Sequence, residues 1–394
     1  MARIGSAGNY GPKIRSDCKV TVELTISDGI QIELTSKVAN FFRDQMLALA
    51  QKVLDHFEIK NAKVTIEDQG ALDYVIAARI EAALKNADPS ITKAYLPEMK
   101  KCSTYGTAKH RLRRSRLYLP GDTPKLALNA GLHGADGIIL DLEDSVHPDE
   151  KAAARILVRN TLRTIDFKGA ERMVRINQLP LGYEDIREVI NQNIHVILIP
   201  KCESKEQVSE INELIIKEKS DDTPVYLLPI IESAKGVLFA YEIATAKETV
   251  IGLALGLEDY TADIGVRRTQ SEEECFFAKS MVLNAAKAAG VQAIDTVYSN
   301  VDDMEGLYAN VKQAKSMGFD GKGCIHPRQI RVVHDALLPS QEELDRAQKI
   351  VEAYEQAEKE GIGVVALGSK MIDPPVVKQA QKILEMARAG GMVS

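Results

Sequence analysis

Eight short apolar runs, each followed by a helical stretch, recur between residues 116 and 326. They occupy 116–120, 137–143, 173–177, 196–201, 225–232, 250–259, 292–297 and 321–326. Runs of this length, rich in Ile, Leu and Val, read as strands buried on both faces. Parallel strands of that kind need a helical crossover between neighbours. Eight of them alternating with helices predict a (β/α)8 TIM barrel, with a doubly wound open sheet as the rival arrangement.

A smaller α+β unit precedes the barrel and is expected to span 1–85. Val20, Val22, Leu24 and Ile26 alternate with polar residues, as do Ile30, Ile32 and Leu34 after Ser27-Asp28-Gly29. That pattern predicts two strands paired around a short turn. Ser36 is placed to cap a one-sided helix carrying Val38, Phe41, Phe42, Met46, Leu49, Val53, Leu54 and Phe57. A strand at 62–67 and a helix at 71–84, with Ile76, Ile80 and Leu84 on one face, complete a β-β-α-β-α order.

Residues 86–112 contain Pro89, Pro97 and Gly106 and show no apolar period. They read as a linker, or else as a loop wrapping the second domain. The basic run His110-Arg-Leu-Arg-Arg114 reads as its solvated end. The barrel domain, 113–394, closes with a helical extension. Ser340 and Glu343 form a capping-box pattern, and a Gly-rich loop at 361–375 precedes the last helix.

Composition narrows the function. A net charge of −6 and the absence of Trp disfavour a nucleic-acid partner. No apolar run reaches the roughly 18 residues of a membrane span. The first residues lack a signal peptide's apolar core. Five scattered cysteines with no C-x-x-C pair support neither a disulfide framework nor a zinc knuckle. A cytoplasmic protein is expected.

The predicted strands repeatedly end in charge. Asp141, Glu143, Asp144, Arg175, Lys201, Glu232, Glu258, Asp259, Asp295 and His326 stand at or just past their C-terminal ends. Core packing does not explain this, and a barrel gathers function at that rim. Carboxylates without clustered Cys or His point to a hard cation, Mg²⁺ or Mn²⁺. Glu232 and Asp259 close consecutive strands and would be neighbours. A substrate that chelates through a carboxylate and an adjacent oxygen would complete the coordination. Arg175 would clamp a second carboxylate. Carbon–carbon bond chemistry on a polycarboxylate follows, with a phosphate-handling barrel as an alternative.

Six segments then carry a resemblance. They are Arg114-Ser-Arg-Leu-Tyr-Leu-Pro-Gly121, Leu140-Asp-Leu-Glu-Asp-Ser-Val146, Val174-Arg-Ile-Asn177, Pro229-Ile-Ile-Glu-Ser-Ala234, Gly256-Leu-Glu-Asp-Tyr-Thr-Ala-Asp-Ile-Gly265 and Cys324-Ile-His-Pro-Arg-Gln329. Together, from about 112 to 390, they resemble the citrate lyase beta chain of the HpcH/HpaI aldolase/citrate lyase family. The stretch from Val64 to Ala82 resembles the citrate lyase acyl carrier, or gamma, chain.

The resemblance implies a carrier fused to a lyase that cleaves a citryl thioester into oxaloacetate and an acetyl thioester. It puts Mg²⁺ on Glu232 and Asp259 and the substrate carboxylate on Arg175. It assigns Arg114 and Lys125 to the thioester's pantetheine and nucleotide arm. Asp373 resembles an aspartate that completes a neighbouring subunit's site, a proton-transfer role; otherwise it is a residue at a helix start. Ser16, in Ile14-Arg-Ser-Asp-Cys18, matches the serine that carries a phosphoribosyl-dephospho-CoA group, with Ser6 as runner-up. The implied partners are a citrate lyase alpha chain and further copies of this chain, as a trimer or hexamer. Malyl-CoA or citramalyl-CoA cleavage, or a non-catalytic carrier and scaffold role, are the alternatives.

Overall fold

The computed structural model describes residues 3–359, 365–367 and 370–392. The N-terminal unit contains β1 (Arg3–Ala7), β2 (Cys18–Leu24), β3 (Ile30–Ser36), α1 (Ala39–His56), β4 (Ala62–Asp68) and α2 (Asp73–Ala87). Its sheet order is β1-β2-β4-β3. The expected β2–β3 hairpin does not form, because β4 inserts between them, antiparallel to β2 and parallel to β3. Burial explains the order. Ala62, Val64 and Ile66 of β4 are almost fully buried, whereas Leu34 is the one buried residue of β3. The more apolar strand takes the centre. The 25–29 turn is instead tied to the start of β4, where Asn61 Oδ1 accepts from Gly29 N and Asn61 O accepts from Thr25 N. Strand β1 had no clear alternation in sequence.

Helix α1 buries Met46, Ala50, Val53 and Leu54 but leaves Phe41 and Phe42 exposed. Ser36 does not cap it; its Oγ accepts from Val38 N and donates to Asp68. Helix α2 buries twelve of its residues, from Tyr74 through Leu84 and at Ala87. One face lies on its own sheet. The other lies on a barrel helix, as Asn160 Nδ2 donating to Tyr74 O shows.

All eight expected barrel strands are present: β5 (Ser115–Pro120), β6 (Gly137–Asp141), β7 (Glu171–Arg175), β8 (Val196–Ile199), β9 (Tyr226–Ile231), β10 (Gly252–Leu255), β11 (Gln292–Asp295) and β12 (Gly321–Cys324). They are parallel, pair in chain order, and close through β12 on β5. Ile139, Met173, Leu198, Leu228, Ile230 and Ile294 form the interior cluster. The alternate residues Ile138, Leu140 and Leu253 pack outward under the helices, which is why the runs show no polar alternation. Most ladders stop short of the predicted C-terminal end, so much of the rim chemistry stands on loops. Helix α3 (Pro124–Leu128) follows β5, and α4 (Lys151–Thr164) follows β6. Among the described residues no helix is long and apolar enough to cross a membrane.

The segment from 88 to 113 is a strap bonded along the barrel. Lys100 N donates to Arg163 O, Ser103 Oγ to Ile165 O, and Tyr105 Oη to Ala170 O. Arg113 is buried rather than solvated, with Nε 2.6 Å and Nη2 2.8 Å from the Glu171 carboxylate. His195 also holds the strap. Its Nε2 lies 2.8 Å from Tyr105 O and its Nδ1 accepts from Arg172 N, which defines the neutral tautomer.

Burial pushes the His195 pKa down to about 4. The unfolded chain therefore takes the proton first, and this contribution is intact above about pH 6.5 and lost as pH falls towards 4. We expect about 2 kcal/mol of destabilisation by pH 5 from this group. Urea unfolding at pH 7 and pH 5 should show that slope in the wild type and a flatter one in His195→Gln. Equal slopes would refute the assignment.

The C-terminal extension packs a helix (Gln341–Lys359) against another (Pro374–Ala389) through Ala347, Ile350, Val377 and Ala380. The Ser340–Glu343 capping box forms as expected. The Gly-rich segment contains a hairpin, β13 (Val365–Leu367) with β14 (Lys370–Ile372). Its residues 361–364 and 368–369 lie outside the described residues.

Candidate active site at the barrel mouth

Arg175 ends β7 and Asp141 ends the neighbouring β6. Arg175 donates from Nε and Nη2 to the Asp141 carboxylate at 2.6 and 2.7 Å, and its Nη1 is 2.9 Å from Glu143. The guanidinium lies over the Tyr118 ring, 5.4 Å from the centroid. Burial opposes charge on both partners. The ion pair outweighs it, raising the Arg175 pKa and holding Asp141 below the usual carboxylate range. Burial raises Glu143, with Asp144 adding to the effect.

Glu232 directly follows β9, and Asp259 lies in the helix Leu257–Asp263 after β10. These two strands are paired neighbours. Glu232 is 4% exposed. Burial, then Asp259 and Glu143, push its carboxyl up to about 8. One backbone donor steadies it: Lys201 N, 2.7 Å from Oε1. Lys201 reaches that position with a left-handed φ of 45°. Its Nζ sits 3.4 Å from Asp259 and 3.9 Å from Glu143. Gly256 lies against the other oxygen. A Cβ there would be 2.3 Å from Glu232 Oε2 and 2.8 Å from Glu232 Cβ.

The mouth thus joins the buried Glu232 carboxylate, four further acidic groups (Asp141, Glu143, Asp144 and Asp259) and an anchored guanidinium. No group of three or more His, Cys, Asp or Glu forms a ready-made cage among the described residues. Two carboxylates still suit Mg²⁺, which keeps several waters or substrate oxygens. The like-charge crowding around Glu232 is what a divalent cation would relieve.

The mouth brings together Glu232, Asp259, Arg175 and the Asp141–Asp144 turn. It does not include Arg114. That residue precedes β5 at the opposite end of the barrel, with Nε and Nη2 each 2.9 Å from Asp136. A strand of six residues separates it from the mouth by about 20 Å. Lys125 is exposed on α3, on the mouth side. Asp295 is enclosed by Lys322 and Lys279 at 2.6 and 3.1 Å. His326 accepts from Arg328 N within its own loop. Asp373 caps the final helix, accepting from Val376 N at 3.2 Å. Ser16 lies in the loop before β2 with φ 59°, and Ser6 lies in β1. The roles of Gly256 and the Lys201 backbone were not assigned from sequence. The one available signal was a glycine bordering an acidic strand end.

Comparison with known proteins agrees with the two-part fold. Residues 114–327 match the HpcH/HpaI aldolase/citrate lyase family, and residues 9–87 match the acyl carrier family described as malonate decarboxylase delta subunit (MdcD). Citrate lyase subunit beta of Leuconostoc mesenteroides subsp. cremoris is 41% identical over 72% of this chain and 96% of its own length. That of Escherichia coli K12 is 39% identical, over 72% and 96%. The crystal structure of protein CitE from Mycobacterium tuberculosis in complex with magnesium, acetoacetate and coenzyme A aligns with a TM-score of 0.59 at 31% identity. It covers 71% of this chain and 100% of that one. The chain is therefore a carbon–carbon lyase that belongs to the HpcH/HpaI aldolase/citrate lyase family, with an acyl-carrier-like unit ahead of its barrel.

Proposed function

We propose that the chain is a Mg²⁺-dependent citryl-thioester lyase, with residues 1–85 as carrier and 113–394 as lyase. The observation that carries this reading is the buried Glu232 carboxylate facing Asp259 beside the anchored Arg175. The relatives at 39–41% identity are citrate lyase beta subunits, whereas mitochondrial citramalyl-CoA lyase of Mus musculus is 32% identical. That difference favours citryl over citramalyl or malyl substrates. Intact acidic and Arg residues oppose a purely scaffold role. Five free cysteines suit the reducing cytoplasm.

Glu232 and Asp259 would hold Mg²⁺, which when bound polarises the substrate's hydroxyl and carboxylate oxygens. Arg175 binds and orients a substrate carboxylate. Asp141 and Glu143 keep that guanidinium in place. Asp373, supplied by a neighbouring copy in a trimer or hexamer, takes the hydroxyl proton. The carbon–carbon bond then breaks. Its electron pair passes to the acetyl thioester as an enolate, and oxaloacetate forms as the ketone. Asp373 returns the proton to the enolate carbon, so acid and base are one group. Lys125 lines the approach of the thioester arm. Ser16 carries a phosphoribosyl-dephospho-CoA arm, which a citrate lyase alpha chain loads.

The test is oxaloacetate release from citryl-CoA, with and without Mg²⁺, beside Asp259→Ala. Release should require Mg²⁺ and fall at least about 100-fold in the variant, since outer partners of metal ligands alone cost up to that much. Mg²⁺-independent release, or an unaffected variant, would overturn the reading.

A further inference from the structure

We infer that the carrier unit stays fixed to its own barrel, with Ser16 on the mouth side, so that its arm feeds that same barrel. This rests on the lyase reading and on an arm at Ser16.

Three attachments carry it. The first is a buried ion pair between α2 and α4. Glu81 and Arg159, at 0% and 1% side-chain exposure, meet at 2.7 and 3.0 Å. Arg159 also binds Tyr95 O in the strap and Asn160 Oδ1. Its bonds outweigh burial on both sides, lowering Glu81 and raising Arg159. Swinging the carrier away would break these hydrogen bonds and return to water the apolar face that α2 buries against α4, which is unfavourable in proportion to the apolar area exposed.

The second attachment is the strap. A mobile carrier needs a loose tether. Here the connecting segment is bonded to the barrel from Tyr95 through Arg113.

The third attachment sets the position of the serine. Asp17, next to Ser16, takes Arg79 Nε and Nη2 at 3.0 Å each. The same Arg79 Nη2 donates to Asp122 O at 2.8 Å. Two hydrogen bonds to one nitrogen keep those oxygens within about 6 Å. Asp122 lies in the turn just beyond β5, at the mouth end. Gly121 N in that turn donates to Asp141 O, and Asp141 holds Arg175. The carrier serine is therefore tied to the rim of its own barrel, on the side where the substrate arginine stands. Only the arm has to move between loading and cleavage.

The test uses the full chain with its arm in place, verified by intact-protein mass. Asp259→Ala, charged with the citryl group, is co-assembled with Ser16→Ala, which keeps an intact barrel. Delivery within one chain predicts oxaloacetate release no faster than from charged Asp259→Ala alone. Release approaching the wild-type rate overturns it. Ser16→Ala is also assayed on free citryl-CoA. The wild type is assayed there beside it, and failure of the wild type means that the lyase reading, not the delivery, is wrong; no arm on Ser16 overturns delivery alone. As a second variant, Arg159→Met should slow cleavage of the chain's own citryl arm roughly 10- to 100-fold by misplacing it. Free citryl-CoA cleavage should be unchanged. Equal rates on both substrates relative to wild type would overturn the fixed carrier.

Discussion

Gly256→Ala is expected to lower kcat/KM for citryl-CoA by at least about 100-fold, with little change in melting temperature. Gly256 precedes the helix that bears Asp259, and its φ of −115° is open to any residue. The constraint is space alone. The added carbon would fall 2.3 Å from Glu232 Oε2 and 2.8 Å from Glu232 Cβ. Rotating the carboxylate away removes the first clash but not the second, so the side chain as a whole must shift. It would then lose the Lys201 N–H donor and its approach to Asp259. Activity should fall and the Mg²⁺ requirement should rise together, because one displacement causes both. Steady-state kinetics across a Mg²⁺ titration, beside a thermal melt, checks this. Wild-type kinetics in the variant would remove Glu232 from the metal site.

The second large effect concerns Arg175. Arg175→Ala should lose about 10³-fold or more in kcat/KM and about 3–5 kcal/mol of stability. The variant strips the partner from Asp141, 2% exposed, and from Glu143, 3% exposed. Arg175→Lys separates the two losses. A lysine keeps a charge near Asp141 but cannot reproduce the bidentate fork. It should recover much of the stability and little of the activity. Urea unfolding and the citryl-CoA assay on both variants test this. Unchanged stability in Arg175→Ala would mean that water replaces the guanidinium at the mouth.

Most of the mouth was legible in advance because its chemistry is local to strand ends. A both-face-buried strand shows as an apolar run, and a charge at its end has no packing reason to be there. Glu232, Asp259 and Arg175 could therefore be picked out before their distances were known. Arg114, which the family resemblance assigned to the thioester arm, shows the limit of reading by motif. Its segment points to β5, but six extended residues carry the two ends of the segment to opposite ends of the barrel. Position within a motif does not say which end of the strand faces the substrate.

The carrier is the sharper contrast. Its strands and helices were nearly all evident from alternation and period, yet the hairpin expected between β2 and β3 does not exist. Arg79 and Glu81 carried no signal in the sequence, yet both are buried, against Asp17 and Arg159. By itself, the sequence marked eight buried strands and the carboxylates at their ends, because periodicity and strand-end charge are properties of neighbouring residues; the six motifs carried the family resemblance, and ring closure excluded the open sheet. The tertiary structure decided which strand takes the centre of the carrier sheet, what covers the second face of α2, and why residue 256 has no side chain. Each depends on groups tens of residues away in the chain, and local pattern carries no record of the partner that burial will supply.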